Sequence, residues 1–160
     1  MPLKIGDKAP EFTLPSFTPS AEVTNISLSS YKGKNLVILF FPMAFTGVCT
    51  AEMCTMSENF NQYKNLGAEI IGISVDGTFV QKAFAKDNNI AIPLLSDFNK
   101  DVVKLYDVYS PEFAHGMKGV AKRSVYVIDK NGIIKYTEVT PTAGDQVNFD
   151  AIKKAVQSLN

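Results

Sequence analysis

The sequence predicts an α/β fold: a mixed central sheet flanked by helices, with an N-terminal hairpin in front, all within one domain spanning residues 1–160. Three observations carry that prediction. Two apolar runs without polar alternation, residues 36–41 (LVILFF) and 68–75 (AEIIGISV), read as strands covered on both faces, the signature of a parallel pair. Between them Met53, Met56, Phe60 and Tyr63 recur at helical spacing, which makes a right-handed βαβ unit. Near the C-terminus, residues 124–129 and 133–138 flank a turn containing Asn131-Gly132, the strongest short hairpin signal.

The remaining elements follow in chain order. Short strand-like segments at 11–14 and 23–28, separated by turn formers around 15–20, form the N-terminal hairpin. The stretch 29–34 reads as one helical or 3₁₀ turn stopped by Gly33. Pro42 cannot extend a ladder and ends the first core strand. Gly67 stops the crossover helix. Phe79, Val80, Ala83 and Phe84 predict a second helix over 78–89 with those residues on its apolar face. Residues 92–95 supply a third strand, 101–106 a short helix and 109–120 an irregular segment carrying His115. A closing helix over 149–159 places Ile152, Val156 and Leu159 on one stripe. A βαβ half followed by a ββα half is the thioredoxin arrangement.

With 160 residues and 46% hydrophobic composition, the chain can bury one good core and is short for two. Acidic and basic side chains balance at sixteen each, so no overall field draws in nucleic acid or an anionic membrane. The N-terminal residues lack a secretion signal, and no apolar stretch approaches spanning length. The expected location is the cytoplasm, where two cysteines stay reduced or reactive rather than forming a permanent staple.

The chemistry is expected in FFPMAFTGVCTAEMC, residues 40–54. Cys49 lies four residues before Met53 and so falls in the first turn of the crossover helix, facing inward. Unpaired N–H groups and the positive end of the macrodipole favour a thiolate over a thiol at such a position. A buried structural cysteine remains an equally good reading of position alone.

Pro42, Thr46 and Cys49 fit P-x-x-x-T-x-x-C, and there the chain resembles the peroxiredoxins, thiol peroxidases built on the thioredoxin fold. Glu52, three residues after the cysteine, is a common companion in that family. IPLLSDFNKDVVKLYDVY and AKRSVYVIDKNGIIKY resemble its later blocks, and Arg123 falls where its active-site arginine belongs. The resemblance implies attack of the Cys49 thiolate on a peroxide oxygen, giving a sulfenic acid and releasing water or an alcohol, with no metal or cofactor. Arg123, the Thr46 hydroxyl and the backbone N–H groups of Val48 and Cys49 are the expected donors to the leaving oxygen, while Pro42 shapes and dries the pocket. Thr46 serves equally as a helix cap, Glu52 as a first-turn acid suited to the helix dipole, and Arg123 as a solvated strand-edge residue.

Cys54 lies about 140° around the helix from Cys49, on the side of Thr50, Ser57, Glu58 and Asn61. Ideal helical geometry separates the two Cα atoms by roughly 8–9 Å, beyond the ~7 Å limit for a disulfide, so bonding requires the helix start to unwind. The C-x-x-x-x-C spacing resembles the Q-type, bacterioferritin-comigratory-protein class, in which the second cysteine resolves the sulfenic acid. AFTGVC and PLLSDF resemble the alkyl hydroperoxide reductase E-like class, described as one-cysteine enzymes. The resemblance implies thioredoxin or a similar dithiol as reductant and a homodimer. Competing readings are a one-cysteine peroxidase reduced by an external thiol, a redox sensor without turnover, a zinc module using Cys49, Cys54 and His115, and a Cys49–His115 hydrolase.

Overall fold

The computed structural model describes residues 3–17 and 22–159. A seven-stranded sheet runs in the order β2-β1-β5-β4-β3-β8-β9, from β1 (Thr13–Phe17), β2 (Val23–Ser27), β3 (Asn35–Phe40), β4 (Ala68–Ser74), β5 (Leu94–Ser96), β8 (Ser124–Ile128) and β9 (Ile134–Val139). The helices are α1 (Gly47–Glu58), α2 (Phe60–Asn65), α3 (Thr78–Asn88), α4 (Asp101–Leu105) and α5 (Phe149–Gln157). None is long and apolar enough to cross a membrane among the described residues.

The middle of the sheet follows from hydropathy. All six residues of β3 are buried because each face is covered. Val37, Leu39 and Phe41 meet Met53, Met56, Tyr63, Phe84, Ile152 and Val156 from α1, α2, α3 and α5, while Leu36, Ile38 and Phe40 meet Phe12, Val103 and Tyr106 on the other face. Strand β3 pairs parallel with β4, Asn35↔Ala68 through Phe40↔Ile73, and antiparallel with β8, Leu36↔Ile128 through Phe40↔Ser124. The C-terminal ends of β3, β4 and β5 therefore share one edge with the start of β8. That edge gathers Pro42, Asp76, Asp97 and Arg123 from distant parts of the chain.

Several expectations are corrected. Strand β1 begins and ends later than residues 11–14 and includes Pro15, which pairs across with Asn25; the missing N–H is tolerated because β1 meets β5 through a single register pair, Ser16↔Leu95. Of the turn expected over 15–20, Pro15–Phe17 are strand and the remainder lies outside the described residues. The segment 109–120 is not wholly irregular, since β6 (Tyr109–Ser110) pairs with β7 (Val120–Ala121). Asn59 divides the expected crossover helix into α1 and α2. Strand β5 starts at Leu94, not residue 92, because Pro93 has no N–H and its carbonyl already accepts from Gly72 N at 2.9 Å.

Helix α3 presents a different face from the one expected. Phe79 is 80% and Val80 43% exposed, whereas Gln81 is buried beside Phe84. Gln81 turns inward because its Nε2 donates to Ser74 Oγ and Leu95 O, both at 2.9 Å. A buried amide with two good acceptors competes with an apolar side chain for that position.

Candidate active site

The site is assembled from the loop after β3, the first turns of α1 and the residue ahead of β8. Strand β3 stops at Phe40, Pro42 is buried, and the chain turns through Phe45, whose φ of 67° lies in the left-handed region. That conformation is unfavourable for an aromatic residue, and hydrogen bonds on both sides hold it. Ala44 N donates to Asp76 Oδ2 at 2.8 Å, and Thr46 Oγ1 donates to Met43 O at 2.8 Å. The Phe45 ring stands edge-on to Phe84, centroids 5.2 Å apart.

Thr46 is the N-cap of α1 by backbone geometry, yet its side chain makes no capping bond; the hydroxyl proton is committed to Met43 O, which corrects the capping reading. Val48 and Cys49 are the second and third residues of the helix, ahead of the bond Thr50 N makes to Thr46 O at 2.9 Å. Their N–H groups lack a partner within the helix. Glu52 is the sixth residue of α1, and the first turn contains no acidic residue, so a first-turn dipole role is ruled out by its position.

Cys49, Glu52 and Arg123 form one enclosed cluster, with exposures of 0%, 0% and 2%. Arg123 is therefore no solvated edge residue. Its Nη2 donates to Cys49 Sγ at 3.1 Å and its Nη1 to Glu52 Oε1 at 2.7 Å. Nη2 and Nε both donate to Ala143 O, at 2.9 and 3.3 Å. The guanidinium is thus fixed on three sides, and negative charge on sulfur meets a full positive charge at hydrogen-bond distance. Burial raises the Glu52 carboxyl to about 7 despite the opposing pull of Arg123, with Glu138 adding to the rise. Glu52 holds the guanidinium through Oε1.

Cys54 faces elsewhere. It is half-buried, and its Sγ lies 3.8 Å from Asn88 O at the end of α3. Both cysteines are free. His115 is exposed in a 3₁₀ turn with φ of 61°, so neither a zinc set with Cys49 and Cys54 nor a Cys49–His115 pair is assembled. Among the described residues no group of three His, Cys, Asp or Glu side chains is placed to hold a metal.

Three contributors were not foreseen. Asp76, buried enough that its carboxyl is pushed above the ordinary range, anchors the Pro42–Thr46 loop and is itself held by Ser74 Oγ at 2.7 Å. Its position after a buried parallel strand, on the same edge as Pro42, was the available signal. Ala143 contributes only a carbonyl, for which the sequence holds no signal. Gln146 Nε2 donates to Val48 O at 3.3 Å, tying the 140–148 segment to the start of α1.

A model of the AhpC/TSA family matches residues 5–137. The chain belongs to that family. The chain is 33% identical to the chloroplastic 2-cysteine peroxiredoxin of Chattonella marina var. antiqua, the match covering 99% of this chain and 82% of that protein. It is 30% identical to a peroxiredoxin of Thermoplasma volcanium, covering 99% and 76%. Among solved structures, Enterococcus faecalis AhpC superposes with a TM-score of 0.85 at 26% identity, covering 99% of this chain and 92% of that one. The chain is thus a peroxiredoxin-family thiol peroxidase, an oxidoreductase with the thioredoxin-like fold expected above.

Proposed function

We propose that Cys49 is the peroxidatic nucleophile, reducing hydrogen peroxide and organic hydroperoxides. We further propose that Cys54 resolves the resulting sulfenic acid as an intramolecular disulfide, which thioredoxin or a similar dithiol reduces. The carrying observation is the 3.1 Å contact from Arg123 Nη2 to Cys49 Sγ inside the enclosed cluster. The thiolate attacks one peroxide oxygen in line with the O–O bond. The S–O bond forms as the O–O bond breaks, and negative charge develops on the leaving oxygen. Charge-assisted donors matter most for that oxygen, because full ionisation of a thiol of ordinary pKa near 8.5 raises its reactive fraction at neutral pH by only about thirtyfold. Arg123 is the principal donor. The Val48 and Cys49 N–H groups join it, and Thr46 does so once its hydroxyl turns from Met43 O. Pro42, buried and without an N–H, keeps water out.

The resolving role of Cys54 needs the first turns of α1 to open. Two features support that step: the Thr46 side chain makes no capping bond, and the contact of Cys54 Sγ with Asn88 O is a weak one at 3.8 Å. Uncapped helix ends belong to the least stable parts of a fold. Intact mass after one equivalent of peroxide tests the proposal. Loss of two hydrogens supports the disulfide, whereas gain of one persistent oxygen returns a one-cysteine peroxidase reduced by an external thiol. Cys49→Ser should abolish peroxide consumption, and retained turnover would place the chemistry elsewhere.

The working compartment we propose is a reducing one such as the cytoplasm, in keeping with two free cysteines. A second copy of the chain is the proposed structural partner. Phe45, Phe79 and Phe98 are 52%, 80% and 64% exposed on segments that follow β3, β4 and β5, at the sheet edge where those strands end. Sedimentation of the wild type against Phe79→Glu checks this.

A further inference from the structure

The cluster contains one buried cation and two acidic groups, and only one of the two acids is needed to balance it. Arg123 stands between Cys49 Sγ and Glu52 Oε1. The second carboxyl oxygen, Glu52 Oε2, is buried without a hydrogen-bond partner. The charged groups bearing on Glu52 are Arg123 ahead of β8, Glu138 on β9 and, through the shared guanidinium, Cys49 on α1. The 140–148 segment faces Arg123 with an uncharged carbonyl, Ala143 O.

We infer that Glu52 carries a proton on Oε2 while Cys49 is a thiolate and gives it up when the sulfur is oxidised, so that the cluster holds one anion through the turnover. Burying an unpaired charged oxygen costs more than burying an unpaired neutral hydroxyl. A second anion beside the same cation raises the cost again. Oxidation removes the charge from sulfur, and the carboxylate then becomes the sole counter-charge of Arg123. The rise of Glu52 to about 7, driven first by desolvation, agrees with this geometry.

The inference rests on the assignment of Cys49 as the peroxidatic residue. The step balances as Cys49–S⁻ + Glu52–COOH + ROOH → Cys49–SOH + Glu52–COO⁻ + ROH. Sulfur loses two electrons to the peroxide, the S–O bond forms as the O–O bond breaks, and the proton lost by Glu52 equals the one gained by the leaving alkoxide. That count holds whether the proton travels directly or through solvent. Glu52 is then more than a brace for Arg123: it makes oxidation neutral in proton exchange with solvent.

Infrared difference spectroscopy on the Cys54→Ser protein at about pH 8, reduced against one equivalent of hydrogen peroxide, reads the proton directly, at a pH where an ordinary carboxyl is fully ionised. The expected result is loss of a protonated-carboxyl carbonyl band on oxidation, shifted by deuterium and missing in Glu52→Gln. Cys49→Ser, which cannot supply the sulfur anion, should show most of the Glu52 band already gone. With thiolate absorbance confirming ionised Cys49 in both proteins, the Cys54→Ser protein should take up far less than one proton per Cys49 oxidised, and Glu52→Gln on the same background close to one. A band that is absent, or that persists through oxidation while mass shows the added oxygen, overturns the proton assignment alone. Failure of peroxide to add oxygen at Cys49 overturns it together with the assignment of the nucleophile.

Discussion

Arg123→Lys separates stabilising a leaving oxygen from ionising a thiol. Arginine here makes four hydrogen bonds, to Cys49 Sγ, Glu52 Oε1 and twice to Ala143 O. Lysine keeps the charge but presents it as a point on a flexible stem, without the planar fork that satisfies acceptors on three sides. At least two charge-assisted bonds are lost, each worth about 1.5–3 kcal/mol. The part expressed in the transition state is the loss of one principal donor to the developing charge, about 3–4 kcal/mol, or roughly 10²–10³ in kcat/KM. Thiolate fraction alone accounts for at most about thirtyfold at neutral pH and for nothing well above the thiol pKa. Stopped-flow rates of the first turnover, measured from neutral pH to well above that of an ordinary thiol, therefore discriminate. The expected result is a deficit of about a hundredfold or more that persists on the alkaline side. Full recovery there would refute the argument and reduce Arg123 to a device for ionising sulfur.

Asp76→Ala should leave Ala44 N–H without its acceptor, costing about 1–3 kcal/mol and slowing the first turnover roughly tenfold through misplacement of the Pro42–Thr46 loop; Asp76→Asn, which keeps an acceptor oxygen, should recover most of both in melts and stopped-flow. Gly72→Ala should destabilise the protein by about 1–3 kcal/mol in urea titrations, because a Cβ there would lie 2.9 Å from Leu94 Cδ2, 3.2 Å from Met53 Sδ and 3.3 Å from Phe41 Cε1. Stability should also depend on Glu52. Desolvation raises its folded value from 4.5 to about 7, so the folded state holds a proton that the unfolded chain releases; the resulting stabilisation is full below about 4.5 and is lost as pH rises through about 7. Denaturant midpoints of the Cys49→Ser protein across that window should fall with pH, and Glu52→Gln on the same background should flatten that component.

Features that depend on local pattern are legible in the residues alone. Unbroken apolar runs marked β3 and β4, Asn131-Gly132 marked the last hairpin, and Pro42, Thr46 and Cys49 marked the helix start that holds the proposed nucleophile. These were legible because a strand covered on both faces, a turn with φ above zero at Gly132 and a helix end each impose a residue type within a few positions. The face of α3 was not legible: Gln81 is buried because Ser74 and Leu95 supply acceptors from two other elements, and no periodicity within the helix reports that. Glu52 looked like a first-turn acid, and only the approach of the residue ahead of β8, 71 positions further along the chain, made it the enclosed partner of a guanidinium. The anchoring by Asp76 and the acceptor role of Ala143 O belong to the same class. Charge and hydrogen-bond state inside a protein depend on which groups are brought together out of water, and that is a property of tertiary contact and not of neighbours in the chain.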